Sequence, residues 1–223
     1  ITGESGSGKS VLLRELEHEL APNVVNIMDI AVENAKPLIE SVGRTFDEAL
    51  ELLSRVGLND AFLFIRRFDE LSDGQKYRFR LAKMVESGKR YWVADEFCAT
   101  LDRDTAKIVA FNVQKLARQL GRAVLAATTH TDLAGDLKPS VRVHKRFGRE
   151  VTVRYFANTV NERCSLVKEM RVEEGSRQDY KKLAPFHYRS SRLPAPMRIF
   201  ALRHRSETVG VVVYSYSPST CFG

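Results

Sequence analysis

Apolar residues recur at helical spacing soon after Lys9: Leu12, Leu13, Leu16 and Leu20 share one face of a helix expected over 11–20. A short strand follows at 23–28, bounded by Pro22 and Asp29. Residues 45–54 read as a helix, with Thr45 as N-cap, Glu48 completing a capping box and Gly57 shortly past its end. The stretch 73–86 is helical, with Tyr77, Phe79, Leu81 and Met84 as its apolar positions. Residues 91–94 (YWVA) form a compact apolar strand that runs into two carboxylates. A helix over 105–120 carries Ile108, Val109, Leu116 and Leu120 and closes at Gly121; 123–128 is another buried strand. Strands alternating with helices predict an α/β fold built on a parallel, doubly wound sheet.

From Val141 onward the segments become shorter, more basic and β-rich, which places a boundary near 155–160 and predicts two domains, 1–155 and 160–223. In the second, 165–172 reads as a strand and 176–183 as a helix. A Pro-rich loop at Pro194–Pro196 follows, then a hairpin of 197–203 and 208–214.

The 223 residues can bury one large or two small cores. No apolar run reaches the roughly 18 residues of a membrane span, so no membrane partner is expected. Cys98, Cys164 and Cys221 form neither a C-x-x-C pair nor an even framework, which suits a reducing cytoplasm. The net charge of +7 is uneven: 18 basic against 21 acidic residues over 1–137, but 17 against 7 over 138–223. The basic half is therefore open to an anionic partner, nucleic acid included.

The sequence GESGSGKS at 3–10 satisfies G-x-x-x-x-G-K-[ST], a loop whose amides cradle phosphates. Gly3, Ser5, Gly6, Ser7 and Gly8 would line the cradle. Lys9 would reach the β- and γ-phosphates, and Ser10 would ligate Mg²⁺. Such a loop normally follows a buried strand, yet only Ile1 and Thr2 precede it and the chain does not open on Met. The strand is expected to be missing from the chain.

Four further stretches extend this pattern. Leu71-Ser72-Asp73-Gly74-Gln75 is similar to the LSGGQ signature of ATP-binding-cassette (ABC) ATPases. Tyr91–Ala94 followed by Asp95 and Glu96 looks like their Walker B strand. Ala99-Thr100-Leu101-Asp102 resembles their D-loop, and His130 their switch histidine. The resemblance covers 1–137. It implies a P-loop NTPase core in which Asp95 holds Mg²⁺ beside Ser10, Glu96 primes the attacking water and His130 senses the γ-phosphate. Ser72, Gly74, Gln75 and Asp102 would serve the ATP of a second chain in a head-to-tail homodimer.

The chain departs from that family in having no Gln between Ser10 and Leu71, where a metal-contacting glutamine belongs; Asp29, Glu33 and Glu40 are its candidate replacements. That departure argues against a transporter subunit. The strand–helix–hairpin order after 165 resembles the first half of a GNAT-type acetyltransferase, which implies acetyl-CoA for a complete domain. His187, Tyr188 and Arg189 are its candidate acceptor-site groups. The alternative is a nucleic-acid-associated ABC ATPase that uses the basic C-terminal part.

Overall fold

The computed structural model describes residues 1–160, 163–186, 193 and 196–215. The chain divides into two compact units, Ile1–Cys164 and Ser165–Gly223, so the break falls later than the expected 155–160. The acceptor-site candidates His187, Tyr188 and Arg189, the start of the Pro-rich loop and Cys221 lie outside the described residues.

In the first unit, β1 (Val24–Asn26), β2 (Tyr91–Ala94) and β3 (Ala123–Ala126) form a parallel sheet in that order. Beyond β3 comes Thr2, which makes parallel bridges to Thr128 on one side and to His144 on the other. The Thr128 amide donates to the Ile1 carbonyl (3.0 Å), the Thr2 amide to the Val143 carbonyl (2.7 Å) and the Lys145 amide to the Thr2 carbonyl (2.8 Å). Ile1 and Thr2 thus hold the place of the strand expected to be missing. They sit between β3 and β4 (Val141–Lys145), and β5 (Val151–Tyr155) pairs antiparallel with β4.

The central strand β2 is covered on both faces. Trp92 and Ala94 join the large core together with Leu53 of α3 (Phe46–Arg55), Phe79 and Ala82 of α5 (Asp73–Glu86), and Val109 and Val113 of α6 (Arg103–Gln119). Val93 points the other way, into a smaller cluster with Ala127 and Leu13 of α1 (Lys9–Glu19). Burial on both faces is why this strand reads as an unbroken apolar run. Each large side chain so buried contributes about 1.5–3 kcal/mol. Three short helical turns, α2 (Leu38–Ser41), α4 (Ala61–Phe64) and α7 (Ala134–Leu137), complete the unit.

Capping departs from the sequence expectation at two helix starts. Asp102 accepts from the Thr105 amide at 3.0 Å, so α6 starts at Arg103 rather than 105. At α3, Thr45 accepts from the Glu48 amide (3.2 Å), but the Glu48 carboxylate turns to the Arg44 amide (3.0 Å), and the capping box is only half made.

In the second unit, α8 (Ser165–Lys168) replaces the first half of the expected strand, with Leu166 buried from this helical turn; β6 is Met170–Glu174. It pairs with the hairpin of β7 (Pro196–His204) and β8 (Glu207–Ser215) in the order β6-β7-β8. The helix α9 (Arg177–Leu183) is tied to this sheet by Asp179, which accepts from Ser176 (2.8 Å), Arg203 (2.8 Å) and Thr208 (3.0 Å). Hydrogen bonds from the Ser176 amide and hydroxyl, with Arg203 behind them, hold its carboxyl well below the usual range.

The approach of the first loop to β4 leaves no room at Gly3. A Cβ there would stand 2.1 Å from the Lys145 carbonyl oxygen, on a backbone with φ of +154°. Gly3→Ala is expected to destabilise the first unit by about 2 kcal/mol or more, read as a lower urea midpoint. A midpoint equal to wild type would show that the loop and β4 do not meet this closely.

Candidate functional site

Parallel strands deliver their C-terminal ends to one edge, and the sequence-predicted groups gather there. Thr2 leads directly into the glycine-rich loop. β2 leads into Asp95 and Glu96, and β3 into Thr128 and His130, while β1 leads into Asp29. The Phe97 amide donates to the Ala127 carbonyl (2.7 Å), which locks the turn after β2 to the extension of β3.

The loop is preformed. Gly6 and Gly8 take left-handed φ values of +76° and +92°, and Gly8 is the residue from which α1 starts. Lys9 folds back so that Nζ donates to the Glu4 carbonyl at 2.7 Å. The Ser7 amide donates to the same carbonyl (3.2 Å), and the Ser7 hydroxyl is buried with no partner among the described residues. Ser7 therefore shapes the loop from beneath. The amides of Gly6, Gly8, Lys9 and Ser10 donate to no acceptor among the described residues, and Ser5 is exposed. A run of unpaired amides at a helix N-terminus is a cradle for phosphate oxygens.

Asp95 accepts from the Glu96 amide with one carboxylate oxygen (2.9 Å), leaving the other without a protein partner among the described residues. Together with the Ser10 hydroxyl it offers two hard oxygen donors, the small protein share that Mg²⁺ takes when it arrives on phosphates. Glu96 is exposed and has φ of +46°; Cys98 has φ of +59°. Two non-glycine residues in left-handed backbone within one turn cost about 1–3 kcal/mol each, a strain typical of functional turns.

His130 is half-buried, and its amide donates to the Thr128 hydroxyl (3.1 Å), which in turn donates to the Phe97 carbonyl (3.3 Å). Thr128 thus bridges the carboxylate turn and His130. Arg103, at the start of α6, forms an ion pair with Asp132 just past His130. Sequence reasoning missed both residues; the only signal for Thr128 was a hydroxyl two places before the histidine.

At the start of α5, Ser72 and Gln75 make a reciprocal capping box (3.4 and 3.0 Å), with Gly74 packed close to Leu101. Arg78 donates to the Gly57 carbonyl at 2.8 Å. Hydrogen bonds from Thr105 lower the Asp102 carboxyl, and its charge acts on Arg78. Tyr77 packs edge-on against Phe97, with ring centroids 6.4 Å apart. Burial pushes the Tyr77 phenol well above its usual value, and the neighbouring Cys98 thiol up to about 12. The signature helix therefore touches the same turn that carries Glu96.

Among the candidates for the missing glutamine, Asp29 stands out. β1 ends at Asn26, level with Val93 of β2, and the chain then turns, the Asp29 amide donating to the Asn26 carbonyl at 3.1 Å, so Asp29 lies in the turn at the C-terminal edge of the sheet. Glu33 is instead paired with Lys36 (3.1 Å), and Glu40 lies on α2.

A parallel sheet with a phosphate loop at the end of one strand and a carboxylate pair at the end of another defines a P-loop nucleoside triphosphatase. No protein-family model matches the sequence. The cytochrome c biogenesis ATP-binding export protein CcmA of Paracoccus denitrificans is 32% identical, over 60% of this chain and 69% of the relative. Its counterpart from Ruegeria pomeroyi is also 32% identical, over 61% and 72%. A bacterial ABC transporter cassette solved as a dimer shares the fold with a TM-score of 0.55 and 18% identity, over 70% of this chain and 84% of that one. The chain belongs to the ATP-binding-cassette ATPases.

The raised Cys98 thiol has a pH consequence. It is neutral in the fold, and its ordinary value of 9.0 applies once unfolded. Its stabilising share is full below that value and is lost as pH rises from 9.0 to about 12. Urea unfolding at about pH 8 and about pH 10.5 is expected to show a larger loss for wild type than for Cys98→Ala. Equal losses would mean that the thiol is not withdrawn from water.

Proposed function

We propose that this chain binds ATP in the loop 3–10 and hydrolyses it within a head-to-tail homodimer in the cytoplasm. The observation that carries this reading is the meeting of three strand ends, bearing the loop, the Asp95–Glu96 turn and His130, at one sheet edge. Lys9 exchanges its bond to the Glu4 carbonyl for the β- and γ-phosphates, while the free loop amides take the phosphate oxygens. Ser10 and Asp95 would hold Mg²⁺, which neutralises charge on the phosphates when bound. Glu96 accepts a proton from the attacking water or orients it, and His130 contacts the γ-phosphate. Asp29 takes the place of the absent glutamine. Ser72, Gly74 and Gln75 of a second chain would close over the nucleotide, with Asp102 in the interface.

The 165–215 unit, with its helix, three-stranded sheet and long hairpin, supports an acyltransferase-like module driven by the cycle; acetyl-CoA would be its cofactor in a complete domain. A second reading draws on the relatives, which are named as an export protein and a transporter cassette. It makes the chain the energy-supplying subunit for a membrane partner, since no described helix is long and apolar enough to cross a bilayer itself. The same relatives leave the nucleic-acid alternative without support.

Glu96→Gln is expected to lower ATP hydrolysis by about 10²–10⁴-fold and to accumulate an ATP-bound dimer on size-exclusion chromatography. Wild-type turnover in this variant would remove Glu96 from the chemistry. A variant that stays monomeric with ATP would remove the head-to-tail dimer.

A further inference from the structure

The β4–β5 hairpin has two unlike faces. Val141, Val143, Val151, Val153 and Tyr155 alternate onto one, while Arg142, His144, Thr152 and Arg154 alternate onto the other. On the basic face a hollow of about 230 Å³ is lined by those four residues with Arg146, Thr2 and Thr131. At roughly 30 Å³ per water, that is the space of about eight waters.

The charges in this hollow are not balanced. Arg142 and Arg154 stand directly opposite each other across the antiparallel pair, a like-charge placement that destabilises a hairpin. Arg146 is 3.6 Å from Glu150, but Arg154 has no acidic partner among the described residues, and none of the lining residues is acidic. Nε of Arg142 is buried with no acceptor among the described residues, a state that calls for an explanation in a folded protein. The guanidinium of Arg142 lies over the Phe156 ring, 5.2 Å from its centroid, and the Thr2 hydroxyl meets Nδ1 of His144 at 3.3 Å. Two forked cations and an imidazole thus surround a space edged by threonine hydroxyls. That donor set suits the tetrahedral, doubly charged oxygens of phosphate better than a single carboxylate.

We propose that this hollow is a binding site for a small phosphorylated anion, distinct from the nucleotide loop. It is built between Thr2, the residue before that loop, and Thr131, the residue after His130. Its occupant neutralises the opposed Arg142 and Arg154 and supplies the acceptor that Nε of Arg142 lacks. The site draws on part of the basic surplus of residues 138–223 and does not depend on the reading of residues 3–10.

The probe is inorganic diphosphate, titrated calorimetrically into the full chain carrying Lys9→Ala, so that the nucleotide loop is weakened. Lys9→Ala is expected to retain diphosphate binding, and adding Arg154→Gln to weaken it at least about tenfold. Arg154 is exposed, so this change spares the core; Arg142→Lys, which keeps the charge but loses the fork, is expected to weaken binding in the same background. Loss of all diphosphate binding in Lys9→Ala, or equal binding with and without Arg154→Gln, overturns the proposal. So does binding of duplex DNA with no response to diphosphate.

Discussion

The whole site hangs on the turn that ends β2. Residues 95–98 leave the most buried strand of the sheet and reverse within four positions, with Glu96 and Cys98 in left-handed backbone. That strain persists because both sides of the turn are fixed. The Phe97 amide is bonded to Ala127, its ring lies against Tyr77, and its carbonyl receives the Thr128 hydroxyl. The side chains of Phe97 and Cys98 are fully buried, and they anchor the exposed Glu96 between them and the strand. A carboxylate aimed outward from a rigid, apolar pedestal keeps its position without needing a partner of its own.

This turn also explains how parts distant in sequence can respond to one another. The helix α5 reaches it through Tyr77, His130 through Thr128, and α6 begins shortly after it, at Arg103. The Arg103–Asp132 ion pair closes the circuit on the far side of His130. It is partly exposed and is worth little as a static strut. It joins the start of α6 to the loop that follows His130. His130 is thereby linked to residues 95–98, and through them to α5, by hydrogen bonds and one aromatic contact rather than a long mechanical path.

Much of this was legible because each element announces itself chemically. The loop, the carboxylate pair and the signature are runs in which glycine, lysine, aspartate and serine stand at fixed offsets, and the unbroken YWVA run marks a strand covered on both faces. What escaped was whatever depends on neighbours in space. Nothing in the residues Ile1-Thr2 shows that they lie in the sheet between β3 and β4; that follows from backbone bonds to both Thr128 and Val143. Thr128 reads as the end of a strand and Asp132 as an ordinary loop residue until the fold brings them beside Phe97 and Arg103. Asp29 lies in the turn directly after β1, whereas Glu33 is paired with Lys36 and Glu40 lies on α2, a difference that sequence alone does not show. In the second unit, residues 165–168 turn helical because Leu166 finds burial there, a packing preference that strand propensity does not contain.

The signature itself admits two descriptions that are not rivals. Ser72 and Gln75 form an ordinary capping box, and an isolated helix would carry the same pair for stability alone. Yet the bond from the Gln75 amide to the Ser72 hydroxyl is long, at 3.4 Å, and Ser72 is exposed. A cap of this kind contributes about 1 kcal/mol, whereas a hydrogen bond to a charged oxygen is worth about 1.5–3. A phosphate group presented to the start of α5 can therefore take over the Ser72 hydroxyl and the first-turn amides at a net gain. Gly74, held against Leu101, keeps that end open to a close approach. In the head-to-tail dimer proposed above, the capping box would hold the helix start in a satisfied form until a second nucleotide arrives.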